Sequence, residues 1–152
     1  MIDPIDQSNW TGADIVLLVT LLPLLLLSAF FSCSETAFFR LAQAQIVELR
    51  QRKTSSANAA LTLVRRRRDV LITVLIGNMT ANVLFFVVGS VLMLRSTSGI
   101  TAEVGIAVAT LFSIVIFGEV LPKMAATARP IGLATLLAPP LLIIHRVIAP
   151  FR

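Results

Sequence analysis

The chain has 152 residues, 57% of them hydrophobic, and a mean hydropathy of +0.90, which excludes an ordinary soluble domain of this size. Thirteen Lys and Arg against eight Asp and Glu give a formal net charge of +5, and a lone cysteine, Cys33, excludes an internal disulfide and a thiolate metal site. A nucleic-acid partner would have to rest on the run Arg65–Arg68, which a position beside a membrane explains better, so none is expected.

Residues 1–14 carry Asp3, Asp6 and Asp14 and no Lys or Arg, the wrong flank for a cleaved signal peptide. The uncharged run Ile15–Phe31 then reads as a first membrane-spanning helix, since about 20 residues cross a hydrocarbon core of roughly 30 Å. Ser32-x-x-Glu35 has the spacing of a capping box, so the first span is expected to break there and a new helix to begin. Between residues 41 and 68, Leu41, Ile46, Val47 and Leu49 recur near helical spacing, "TSSAN" marks a turn, and "AALTLVRRRR" starts again. An amphipathic helical hairpin on the membrane surface is the expectation. Val70–Leu94 forms the second span, and Val104–Gly118, continued through "EVLPKMAA", the third. Ile131–Ile144 is interrupted by "APP" at 138–140; two adjacent prolines remove two helix donors, and a broken helix at the interface is expected rather than a fourth span. The chain is therefore predicted to be an all-α membrane protein: one domain over 1–152 with three transmembrane helices, a juxtamembrane hairpin and a broken C-terminal helix.

Charge sets the orientation. Within residues 40–68, Arg40, Arg50, Arg52, Lys53 and Arg65–Arg68 stand against the single acid Glu48. The positive-inside rule puts residues 40–68 and the C-terminus, with Lys123, Arg129, Arg146 and Arg152, in the cytoplasm and the N-terminus outside, with Trp10 as an outer interfacial anchor.

Three polar clusters interrupt the apolar runs: "SCSE" at 32–35, "GNMTAN" at 77–82 and "FGEVLPK" at 117–123. Polar groups at that depth cost on the order of 3 kcal/mol on insertion scales and mark partnered or functional positions. Asn78 and Asn82, spaced i, i+4, share a helix face. Gly77 admits a close neighbour. Glu119 follows Gly118, and Pro122, lacking an N–H, frees a carbonyl near 118. Hydroxyls, amide oxygens, free carbonyls and a carboxylate suit a hard cation, so Ser32, Ser34, Asn78, Asn82 and Glu119 are the candidate ligands; magnesium and sodium both fit. The bland readings are helix capping for Ser32 and Glu35, interhelical hydrogen bonding for the asparagines, and an i, i+4 ion pair of Glu119 with Lys123. His145 is expected to be functionally silent. A serine hydrolase using Ser32 or Ser34 lacks a positioned base in the sequence, and no enzyme activity is expected.

"FFSCSETAFFRL", "IGNMTANVL" and "FGEVLPKMAA" resemble, in order and over nearly the whole chain, the signature segments of the transmembrane domain (DUF21) of the CNNM/CorC magnesium transporter family. In that family they read approximately FSxSETAL, GNxxxN and FGEVxPK. The resemblance implies a homodimeric plasma-membrane transporter that exports Mg²⁺ in exchange for Na⁺, by alternating access around a dehydrated ion. It implies ligands from Ser32 or Ser34, Asn78 or Asn82, and Glu119, an irregular turn at Pro122, and Lys123 alongside. It further implies cytoplasmic CBS domains beyond Arg152. Phe38 and Phe39 depart from the smaller residues usual in the family. A non-transporting, Mg²⁺-sensing membrane anchor is the alternative function.

Overall fold

The computed structural model describes residues 12–95 and 99–148; Asp3, Asp6, Trp10 and Arg152 lie outside the described residues. Every element described is helical: α1 (Gly12–Phe39), α2 (Gln43–Gln51), α3 (Ser55–Arg65), α4 (Arg67–Arg95), α5 (Ile100–Ser113), a π-helical segment (Ile114–Val120), α6 (Leu121–Ala128) and α7 (Pro130–Ile148). α1, α4 and the composite α5–π–α6 run from 28 to 29 residues each, about 42 Å at 1.5 Å per residue, enough to cross a bilayer. Their outward faces are apolar, with Val19, Leu26, Val83, Val87, Val104 and Phe112 all exposed, as a lipid-facing surface requires.

Two helices differ from expectation. α1 does not break at Ser32: it runs unbroken through Pro23 and the serines to Phe39, so Ser32 caps nothing. Phe31, Ser32, Cys33 and Ser34 are all buried, so this part of α1 has neighbours on every side and no solvent to favour an end. Likewise α7 is continuous through Pro139 and Pro140, and four helices, not three, are long and apolar enough to cross a membrane. The prolines remove two of the helix's bonds. However, Ala134, Ala138 and Leu141 are fully buried in the main apolar cluster, and that packing holds the helix line across the gap.

The cluster lies where the C-terminal end of α1 (Ala37, Phe38), α2 (Ile46, Leu49), α3 (Ala57, Ala60, Leu63), the start of α4 (Val70, Val74) and α7 converge. α3 begins at Thr54, whose hydroxyl accepts the Ala57 amide at 3.3 Å, an N-cap that starts a helix inside the segment expected to be a turn. α2 begins without a side-chain cap at Ala42, but Gln45 reaches back to the Ala42 amide at 3.0 Å. His145 is buried on α7 and meets the buried hydroxyl of Thr73 on α4 at 3.2 Å, so it fastens α7 to the bundle. Phe38, one of the two aromatic departures, is also fully buried here.

α1 and α4 form the principal pair, and their approach is set by Gly77. A Cβ at that position would stand 2.4 Å from the tip of the Phe31 ring. The neighbour that Gly77 admits is thus an aromatic ring filling a notch. At the other end of the pair, Arg95 Nε donates to Asp14 Oδ1 at 2.6 Å, tying the last turn of α4 to the first of α1.

Candidate functional site

Halfway along the bundle, α1, α4 and the π segment meet in a cluster of oxygen atoms. α1 contributes Ser28 and Ser32, one turn apart on one face. α4 contributes Asn78 and Asn82, which share a face as their spacing dictates. The π segment contributes Gly118 and Glu119.

The hydrogen-bond pattern can be followed proton by proton. Asn82 Nδ2 donates to Glu119 Oε1 at 2.8 Å, which turns Asn82 Oδ1 toward α1. There it accepts the Ser28 hydroxyl at 2.6 Å. A hydroxyl carries one proton. Asn78 Oδ1 at 3.4 Å and Gly118 O at 3.5 Å therefore approach the same Ser28 oxygen with no second proton to share. Ser32 Oγ donates to the Glu119 carbonyl at 3.3 Å. The result is a knot with more oxygen lone pairs than protons, and one carboxylate beside it.

The backbone explains why carbonyls are on offer. In the π segment the bonds reach one residue further than in an α-helix: Leu121 N–H donates to Ile116 O, five residues back. Pro122 has no N–H, so this stretch lacks the donor that the Gly118 carbonyl would meet in α register and the Phe117 carbonyl in π register. A Cβ on Gly118 would lie 2.9 Å from Ser28 Oγ, so only glycine lets the π segment press this closely on α1.

Of the residues singled out in the sequence, Ser32, Asn78, Asn82, Gly118 and Glu119 are brought together here, with Pro122 next to them. Ser34 is not bonded into the knot. It lies about 200° around α1 from Ser32 at 100° per residue, fully buried, and its hydroxyl has no hydrogen-bond partner. Gly77 packs on Phe31 rather than on an ion. Lys123 does not pair with Glu119: its ammonium lies 3.7 Å from Glu35 Oε2, across on α1. Neither serine hydroxyl is bonded to a base, since Ser32 gives its proton to a main-chain carbonyl. Ser28, which bonds Asn82 and lies against Asn78 and Gly118, carries no motif in the sequence; its signal is the i, i+4 spacing to Ser32.

Among the described residues no three of His, Cys, Asp and Glu gather around one point. What the knot can hold is a cation that accepts neutral oxygens and a single carboxylate, in the manner of Mg²⁺ or Na⁺. The residues fit such an ion, with Ser28, Ser32, Asn78, Asn82, the Gly118 and Glu119 carbonyls and the Glu119 carboxylate as available donors.

The family model described as the cyclin M transmembrane N-terminal domain, CNNM, matches residues 18–152. The UPF0053 inner membrane protein YfjD of Escherichia coli (strain K12) is 32% identical over 107 residues, which cover 68% of this chain and 24% of YfjD. The chain thus spans about a quarter of the length of that relative.

Proposed function

The chain belongs to the cyclin M transmembrane N-terminal domain family, and from that premise we propose that it is the membrane domain of a transporter whose cargo is Mg²⁺. One observation carries this reading. The Ser28 hydroxyl, with one proton, is approached by three acceptor oxygens from Asn82, Asn78 and Gly118, next to the Glu119 carboxylate. Acceptor oxygens crowded around a single proton repel one another unless a cation lies between them. A small dication would bring those oxygens together in place of its water, while Glu119 supplies charge.

The remaining parts of the proposal rest on the resemblance to the CNNM/CorC transporters. As in those transporters, the ion leaves the cytoplasm with Na⁺ entering in exchange; a knot of neutral oxygens with one carboxylate is compatible with a monovalent ion as well. Rocking of α1 against α4 and the π segment opens the site to each side in turn. The excess of Arg and Lys in 40–68 supports a cytoplasmic face for α2 and α3, with the N-terminus outside. The packing of α7 on α3 and on the C-terminal end of α1 supports placing α7 at that same face. A homodimer, and cytoplasmic CBS domains in the whole protein, complete the reading.

Reconstitution in liposomes loaded with a Mg²⁺-sensitive dye tests it. The wild-type chain is expected to move Mg²⁺ across the membrane, and Glu119→Ala to stop it and to abolish stabilisation by Mg²⁺ against heating. Full protection of Glu119→Ala by Mg²⁺ would remove that carboxylate from the site. Mg²⁺-dependent stabilisation of the wild type without any flux would leave the sensing anchor in its place.

A further inference from the structure

Ser28, Ser32 and Glu35 lie at i, i+4 and i+7 on one face of α1, and they meet Gly118, Glu119 and Lys123 in the same order. This parallel seam holds two carboxylates and one ammonium. Lys123 stands four residues C-terminal to Glu119, the spacing and direction that favour a helical ion pair. Lys123 pairs instead across the seam with Glu35, at 3.7 Å, while Glu119 Oε1 is held by Asn82 Nδ2 at 2.8 Å. Both partners of the pair are partly exposed, 42% for the lysine side chain and 29% for the glutamate, so the ammonium has room to move between carboxylates.

We propose that Glu35 is a positioning residue: it holds the Lys123 ammonium off Glu119 and so keeps the Glu119 carboxylate available to a divalent cation. The inference rests on the cation-binding reading above and adds a role for a carboxylate outside the knot. Without the Glu35 charge, the tethered ammonium settles on Glu119 and competes with the dication for it. A cation held four residues away has a high effective concentration, so the competition is strong.

The test is a double-mutant cycle on the whole chain purified in detergent, with MgCl₂ as the probe and the shift of the melting temperature with MgCl₂ concentration as the readout. Glu35→Gln is expected to weaken the apparent Mg²⁺ affinity about ten-fold. Lys123→Met is expected to leave the affinity unchanged or to raise it. In the double variant the effect of Glu35→Gln is expected to vanish, with an affinity within about two-fold of Lys123→Met alone, because there is no ammonium left to misplace. If Glu35→Gln weakens binding equally with and without Lys123, Glu35 acts through its own field and the proposal is overturned; no weakening in the single variant overturns it too. Melting without MgCl₂ reports whether each variant folds. Should Glu35→Gln not fold, Glu35→Asp, whose carboxylate is one methylene short of the lysine, carries the same comparison with an expected weakening of about three-fold. A wild-type chain that does not respond to MgCl₂ at all defeats the transport reading. A responsive wild type with additive variants defeats this inference alone.

Discussion

Replacing Gly118 by alanine is the sharpest probe of the close approach between α1 and the π segment. The added methyl would stand 2.9 Å from Ser28 Oγ and 2.9 Å from Ile114 Cδ1, where ordinary contact begins at 3.4 Å. Ile114 Cδ1 is the end of a flexible side chain and can rotate away. Ser28 Oγ is held at 2.6 Å from Asn82 Oδ1 and must retreat by about 0.5 Å, with α1 or the π segment yielding. Overpacking of this kind costs about 1–3 kcal/mol of stability. The effect on the ion is sharper, because ligand distances tolerate only about 0.2 Å, and Mg²⁺ affinity is expected to fall at least about ten-fold, or 1.4 kcal/mol. Thermal melting in detergent across a MgCl₂ titration measures both quantities. Adding Ile114→Val separates them: it relieves one of the two clashes and should recover stability without recovering Mg²⁺ response. If Gly118→Ala melts and responds to Mg²⁺ as the wild type does, the π segment does not press on Ser28 and the site geometry argued above is wrong.

Two further outcomes follow from the packing and the hydrogen bonds. Gly77→Ala drives a methyl to within 2.4–2.7 Å of three atoms of the Phe31 ring. It should lower stability by about 1–3 kcal/mol, and Phe31→Leu should relieve much of that loss in the double variant, as read by melting temperature. Ser28→Ala should weaken Mg²⁺-dependent stabilisation about ten-fold or more, whereas Ser34→Ala, which removes a hydroxyl without partners, should leave it within about two-fold; the reverse order would move the site to the other face of α1.

The long elements were legible because lipid imposes a simple rule, and charge-free runs such as Ile15–Phe31 and Val70–Leu94 obey it. The asparagine pair was legible for a similar reason: four residues apart on a helix means one face, whatever the helix packs on. A signal local in sequence misleads where the partner comes from elsewhere in the fold. Ser32-x-x-Glu35 has a capping spacing, but capping needs a helix end, and residues 31–34 of α1 are buried on all sides within a continuous helix. Lys123 has Glu119 at a favourable spacing, yet the carboxylate it meets comes from another helix, 88 positions earlier. Pro139–Pro140 weakens α7 only locally, and packing by alanines one turn apart outweighs two missing bonds. Ser28 sat unremarked among leucines because no motif distinguishes it. Its importance comes from the glycine and asparagines opposite, which only the fold brings near.

The widened turns at Ile114–Val120 act as a phase shifter. A π turn is equivalent to one inserted residue, so everything after it is rotated by about 100° relative to an uninterrupted α-helix. The azimuth of Glu119 and Lys123 is consequently a property of the main chain rather than of their own rotamers. A slip of that segment into α register would swing both charges around the helix axis and dismantle the oxygen knot without altering a single side chain.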